Sequence, residues 1–249
     1  MSYRRSIIIV LIMPLLLFAG AFALQAQDFL NMVKTGDIKS VQKALKKARV
    51  DVNEQDAEGL TSLMVSAIAG DSVMVQLLLE SKADPNIQAV NGMTALHAAA
   101  FHSREPVIVL LLTFGANPNL IDNKGRTPLL VAAQIEVTNP VTILLEGGAD
   151  IEAKDKNGNN ALMLSCGNRH LNILGELLRG NANPNARDAM GRTALMLLAV
   201  LGEDEMMRVL LRRKPDLNAV DYSLKSAMAY AKEYRRKAVI ALLESHNAK

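Results

Sequence analysis

Cysteine and aromatic residues are scarce in this chain of 249 residues. It contains one cysteine, Cys166, and no tryptophan, and aromatic residues make up 4% of the sequence. A single thiol forms no intramolecular disulfide and supplies too few ligands for a cysteine-based zinc site. The sequence is nevertheless 50% hydrophobic and 21% charged, which suffices for a buried core and is not typical of a disordered chain.

The chain also has little excess charge. Its formal net charge is +3, and residues 1–23 contain two arginines, Arg4 and Arg5, and no acidic residue, so subtracting those two charges leaves +1 on the remainder. A nearly neutral chain gives no electrostatic reason to expect a nucleic acid as partner.

The N-terminal segment has the layout of a secretory signal. Arg4 and Arg5 precede an apolar run from Ile7 to Leu24, and Ala21-Phe22-Ala23 supplies the small residues of a cleavage site. We therefore expect residues 1–23 to be a signal peptide and the protein to be periplasmic or secreted. A bacterial source is favoured because secreted eukaryotic proteins more often contain disulfides. The apolar run is long for a signal, so an uncleaved membrane anchor is the alternative.

A glycine recurs every 33 residues along most of the chain. The recurring glycines are Gly59, Gly92, Gly125, Gly158 and Gly191. Two further columns keep the same period, one of small residues and one of leucine: Ala67, Ala100, Ala133, Cys166 and Ala199, then Leu78, Leu111, Leu144, Leu177, Leu210 and Leu243. A fixed period of this length is typical of few architectures, all of them stacks of similar units.

Each unit has the features of a tight turn followed by two short helices. The glycine permits the turn, and the threonine that usually follows can cap the first helix. Asn91-Gly92 and Asn157-Gly158 are hairpin-turn pairs between units. The leucine-rich strip buries one face of the second helix. One such unit cannot bury its own apolar face, so the units must stack into an all-α solenoid.

These motifs resemble those of the ankyrin-repeat family. Thr94-Ala95-Leu96-His97, Thr127-Pro128-Leu129 and Gly115-Ala116-Asn117-Pro118-Asn119 are close to the family's Thr-Pro-Leu-His and Gly-Ala-Asp-x-Asn sequences. The resemblance covers about residues 28–249 and implies helix–turn–helix units joined by β-hairpin-like loops. It also implies that His97 hydrogen-bonds near its turn and stabilises it. We expect five full repeats between two capping repeats: 56–88, 89–121, 122–154, 155–187 and 188–220, capped by 28–55 and 221–249.

No combination of residues in the sequence indicates catalysis, a cofactor or a metal site. None of the four histidines lies in a catalytic motif, and no glycine-rich phosphate loop occurs. Cys166 and His170 are four residues apart, but two ligands are too few for a metal ion. One column of acids is interpreted as turn residues: Asp56, Asp122, Asp155, Asp188 and Asp221. We therefore expect a protein that is not an enzyme.

The resemblance places partner binding on a concave surface. In ankyrin-like proteins, the loop tips and the exposed side of each first helix line that surface. Mapped by phase, the candidate partner-binding residues are Ile68, Val90, Asn91, Phe101, His102, Lys124, Gln134, Ile135, Asn157, Val200 and Leu201. Several first-helix positions are apolar, which fits either an interface or packing between first helices. Phe101 is the best single anchor, because large rigid side chains dominate interface energies.

Together these features predict a non-catalytic scaffold. It would bind a protein partner, which the sequence does not identify, through the concave surface and loop tips in the periplasm. The atypical end repeats favour a monomer. The alternative is a membrane-anchored structural or envelope-organising protein, and membrane contact is expected only if residues 1–23 are not cleaved.

Overall fold

The computed structural model describes residues 28–47 and 50–248, and the predicted signal segment lies outside these ranges. The described residues form fourteen helices and no strand. The helices are α1 (28–34), α2 (Ile38–Lys46), α3 (Ser62–Ala69), α4 (Ser72–Glu80), α5 (Ala95–Phe101), α6 (Glu105–Thr113), α7 (Pro128–Ala132), α8 (Thr138–Glu146), α9 (Ala161–Gly167), α10 (Leu171–Arg179), α11 (Ala194–Leu201), α12 (Asp204–Leu211), α13 (Ala227–Glu233) and α14 (Lys237–Ser245). The predicted all-α repeat solenoid is confirmed.

The helices stack in two layers. From α3 to α13 each first helix packs against the first helix of the next unit, and from α4 to α14 each second helix packs against the next second helix. The leucine column and the small-residue column identified by the 33-residue period are both fully buried between the layers. Small side chains let neighbouring first helices approach closely, while leucine fills the space under each second helix. None of the described helices is long and apolar enough to cross a membrane.

Aspartate side chains fix the loop before most first helices. In the loop at 122–126, Asp122 Oδ1 accepts the backbone N–H groups of Lys124 at 2.8 Å and Arg126 at 2.9 Å. The same two bonds, to the residues two and four positions later, recur at Asp56, Asp155, Asp188 and Asp221. The interpretation of this column as turn residues is therefore confirmed, and these carboxylates set the shape of the loop tips.

Side-chain caps begin most first helices. Thr61, Thr94, Thr127 and Asn160 each accept the backbone N–H three residues later, which satisfies one of the free donors at the helix N-terminus. Thr193 is the exception, since its hydroxyl is buried and makes no hydrogen bond within the described chain.

A second set of side chains connects consecutive units. Asn86 Oδ1 accepts the backbone N–H of Asn117 at 2.7 Å, a residue 31 positions later in the next unit. Equivalent bonds join four further pairs: Asn53 to Asp84, Asn119 to Asp150, Glu152 to Asn183 and Asn185 to Asp216. Each of these acceptors satisfies a backbone donor in the neighbouring unit, so the recurrent polar residue at this phase links consecutive repeats.

Candidate functional site

The apolar candidates for partner binding divide into two groups by exposure. Val90 is 71% exposed, Phe101 51% and Ile68 36%, so these side chains are open to solvent. Ile135, Val200 and Leu201 are half-buried. The first group is available to a partner, whereas the second also contributes to packing between units.

The Phe101 ring packs against the ring of the next residue, His102. Phe101 is the last residue of α5, and its ring meets the His102 ring edge to face, with centroids 5.0 Å apart and planes at 88°. The three residues before it, Ala98–Ala100, are buried against the stack. An exposed ring on a short, fully anchored helix loses little conformational entropy on binding, which suits an interface anchor.

Gln134 and Ile135 differ from their predicted placement on a first helix. Helix α7 ends at Ala132, and both residues lie in the turn that follows it. This turn has the tight i to i−3 hydrogen bonds of a 3-10 helix. Gln134 N–H donates to Val131 C=O, and Ile135 N–H donates to Ala132 C=O. The two side chains therefore project from a turn, and Gln134 reaches Arg126 near the loop tip.

His97 is a scaffold residue and not part of the exposed surface. It is fully buried, its Nδ1 accepts the Thr94 N–H at 3.2 Å, and its Nε2 donates to the Arg126 carbonyl at 2.8 Å in the next unit. Burial lowers the pKa of His97, because the charged ring would lose its hydration. The predicted hydrogen-bonding role is confirmed, and the bond to Arg126 also joins helix α5 to the loop tip of the next unit.

Three of the predicted residues surround one groove. Lys124, Gln134 and Asn157 line a groove of about 470 Å³ between the loop tips of the units at 122–154 and 155–187. Arg126 and Lys156 line the same groove and were not among the predicted binding residues. Lys156 could have been found from the period, since it occupies the same phase as the candidate Val90, whereas no candidate residue shares the phase of Arg126. The other predicted residues lie outside this groove: Ile68, Val90, Asn91, Phe101, His102, Ile135, Val200 and Leu201.

Arg126 is fixed at the side of the groove by an ion pair. Its Nε and Nη2 donate to Asp122 Oδ2 at 2.8 and 2.7 Å, and its Nη1 lies 3.4 Å from Gln134 Oε1. Burial opposes ionisation of Asp122, but the hydrogen bonds from Arg126 and Lys124 outweigh it and hold the pKa of this carboxyl below its ordinary value. Asp122 is therefore a charged structural partner and not a free acid.

The residues considered for metal chemistry do not form a site in the described part of the chain. Cys166 is fully buried, and burial raises the pKa of its thiol to about 12. His170 lies with Nδ1 3.3 Å from the Ala133 carbonyl. Within residues 28–47 and 50–248, no group of three or more His, Cys, Asp or Glu side chains is arranged to hold a metal ion.

Stacked helix pairs with linked loop tips define the class of this protein as a helical repeat solenoid. A family model of ankyrin repeats matches the chain in three overlapping copies, over residues 29–122, 104–188 and 168–249. The chain therefore belongs to the ankyrin-repeat family. Ankyrin repeats generally mediate protein–protein interaction, and proteins built from them are typically non-catalytic scaffolds. A comparison with curated proteins finds no significant match.

Proposed function

We propose that this protein is a non-catalytic scaffold that binds a protein partner through its concave surface and loop tips. The exposed apolar pair of Phe101 and Ile68 carries the proposal, because neighbouring apolar side chains that share an exposed surface mark interaction sites. Ile68 occupies the equivalent position in α3, which packs against α5. Two apolar side chains at matching positions of adjacent helices form the start of a continuous surface for a partner.

The expected energetic contribution of this surface is concentrated in few residues. Full burial of a phenylalanine side chain is worth about 2 kcal/mol, and an aromatic anchor at the centre of an interface commonly contributes more than that when truncated. Polar side chains at the tips, such as Asn91 and Asn157, are exposed and add hydrogen bonds and orientation.

The proposed place of action is the periplasm, with residues 1–23 acting as a cleaved signal and the mature chain as a monomer. The arrangement of Arg4 and Arg5, the apolar run and Ala21-Phe22-Ala23 supports this. The length of the apolar run supports the second candidate, a membrane-anchored envelope organiser. Fractionation of cells that express the full chain with a C-terminal tag separates the two: periplasmic fluid supports the first, and the membrane fraction supports the second.

The interface prediction is that Phe101→Ala combined with Ile135→Asp weakens partner binding at least tenfold, which corresponds to about 1.4 kcal/mol or more. The double variant removes the exposed anchor and places a charge in the turn that follows α7 in the next unit. The tagged full chain is incubated with cell-envelope extract, and the bound proteins and their affinities are compared with those of the unmodified chain.

The matched control is Val73→Asp combined with Val109→Ala. Both valines are exposed, but they lie on the second helices α4 and α6. The control should retain the partner, and circular dichroism should show that both variants keep their helical content. Equal retention of one partner by the unmodified chain and both variants would mean that the concave surface is not the interface.

A further inference from the structure

Positive charge is concentrated on three consecutive loop tips. We define a tip loop as the six residues from four before each recurring glycine to one after it. Tip loops 55–60 and 88–93 contain no lysine or arginine. Tip loops 121–126, 154–159 and 187–192 contain six in total, against one aspartate in each. The six are Lys124, Arg126, Lys154, Lys156, Arg187 and Arg192.

Four of these cations are occupied by contacts within the fold. Arg126 pairs with Asp122, and Arg192 pairs in the same way with Asp188, with Nη2 to Oδ2 distances of 2.7 Å in both pairs. The other two donate to carbonyl groups of the following unit: Lys154 Nζ to Arg187 at 2.8 Å, and Arg187 Nη1 to Val220 at 2.6 Å. These contacts give four of the six cations a structural role within the stack of repeats.

Lys124 and Lys156 have no such explanation. Both side chains are exposed, and neither ammonium group forms an ion pair or hydrogen bond with another residue in the described ranges. They lie on the two sides of the 470 Å³ groove, on adjacent tip loops. Two unpaired cations on neighbouring tips produce a local positive potential that the near-neutral chain as a whole does not have.

The remaining polar groups of the groove are side-chain amides and one carboxylate, that of Asp155. The Asp155 carboxylate already accepts the backbone N–H groups of Asn157 and Asn159, and Gln134 Oε1 faces Arg126. The side-chain amides of Gln134 and Asn157 retain N–H groups, beside the two ammonium groups. Two unpaired ammonium groups outweigh the single carboxylate of Asp155, and together with the amide N–H donors they make the groove complementary to carboxylates.

We propose that this groove holds an acidic segment of the partner protein, with carboxylates on Lys124 and Lys156. The inference rests on the proposed function and specifies the chemistry of the partner. A protein is favoured over a nucleic acid because no aromatic side chain lines the groove to stack on bases, whereas Leu164 gives it an apolar wall. The partner segment therefore combines acidic residues with apolar residues, the latter facing Leu164 and the exposed side chains of Val90 and Phe101.

The test compares Lys124→Glu/Lys156→Glu with the matched charge reversal Lys82→Glu/Lys214→Glu. Lys82 and Lys214 are also exposed, but they follow the second helices α4 and α12. Fluorescein-labelled polyglutamate and labelled oligothymidylate are titrated with the full chain, and binding is followed by fluorescence anisotropy. We expect polyglutamate to bind the full chain and the control, to bind the groove variant about tenfold more weakly, and to be released as salt rises to about 0.15 M.

Three results would overturn the inference: no binding of polyglutamate, equal loss in both charge-reversal variants, or tighter binding of oligothymidylate than of polyglutamate. The partner captured from envelope extract separates this inference from the proposed function. Loss of that partner with Phe101→Ala/Ile135→Asp but full retention with Lys124→Glu/Lys156→Glu leaves the concave surface in place and rejects the acidic segment. Retention of the partner by both variants rejects the concave surface as the interface.

Discussion

Gly158→Ala is expected to lower the free energy of unfolding by about 3 kcal/mol. Gly158 has a φ of 77°, in the left-handed region that residues with a Cβ seldom adopt. A Cβ atom there would lie 2.5 Å from the Ala189 backbone nitrogen and 2.9 Å from the Asp188 carbonyl carbon. Those atoms belong to the next tip loop, so the methyl group would force two units apart.

Gly148→Ala separates the steric effect from the conformational one. Gly148 has a φ of 85°, but its Cβ would meet nothing within 4 Å. In this control the free energy of unfolding should fall by only about 1 kcal/mol, the cost of the left-handed backbone conformation alone. Urea unfolding followed by circular dichroism measures both variants. Because the units interact mainly with their neighbours, Gly158→Ala should also broaden the transition. Equal losses in the two variants would show that the packing of adjacent tips does not limit stability.

His97→Met is expected to cost about 2 kcal/mol at pH 7, even though methionine occupies the same phase at Met163 and Met196. The substitution removes the bond from Nε2 to the Arg126 carbonyl and the bond from Thr94 N–H to Nδ1. Burial of those backbone groups without a partner accounts for the cost, since desolvated polar groups need hydrogen bonds.

The same substitution should change the pH dependence of stability. Burial lowers the pKa of His97 below its ordinary value of 6.5. Between the lowered pKa and pH 6.5, the unfolded chain therefore binds a proton on this ring that the folded chain does not. The contribution of His97 to stability is fully present above pH 6.5. It declines as the pH falls from 6.5 towards the lowered pKa, by at most about 1.4 kcal/mol per pH unit.

Urea unfolding of the two proteins between pH 7.5 and pH 5 measures this effect, and these pH values bracket the ordinary histidine pKa of about 6.5. The difference between the unmodified chain and His97→Met should narrow as the pH falls. His102→Met, which removes an exposed neighbouring histidine, should keep the unmodified free energy of unfolding at pH 7. Parallel pH profiles for the unmodified chain and His97→Met would contradict the assignment of His97 as a buried neutral ring.

The sequence predicts the fold well because the repeat period reports directly on packing. A residue type that recurs at the same phase must meet the same environment in every unit, as Leu144 and its column do by being fully buried. Similarly, Asp122 and its column recur because each closes the same turn. His97 breaks its column, yet its role follows from the family motif in which it lies.

The candidate site is less predictable because it depends on contacts between units. The turn that displaces Gln134 and Ile135 from α7 is set by local hydrogen bonds that helical phase does not reveal. The pairing of Arg126 with Asp122 and the lack of a partner for Lys124 and Lys156 depend on side-chain positions in folded loops. Periodicity identifies which residues share a face. Only the structure shows which charged side chains on that face lack an ion-pair partner.

Site-specific cross-linking tests the central claim most directly. Cys166 is fully buried with a thiol pKa of about 12, so a thiol-reactive photo-cross-linker should leave it unmodified in the folded protein. Asn157→Cys places the probe on a tip loop, and Gln76→Cys places it on the exposed side of α4. After irradiation in envelope extract, we predict that Asn157→Cys forms a covalent adduct with the partner and Gln76→Cys does not. An adduct from Gln76→Cys alone would contradict the account.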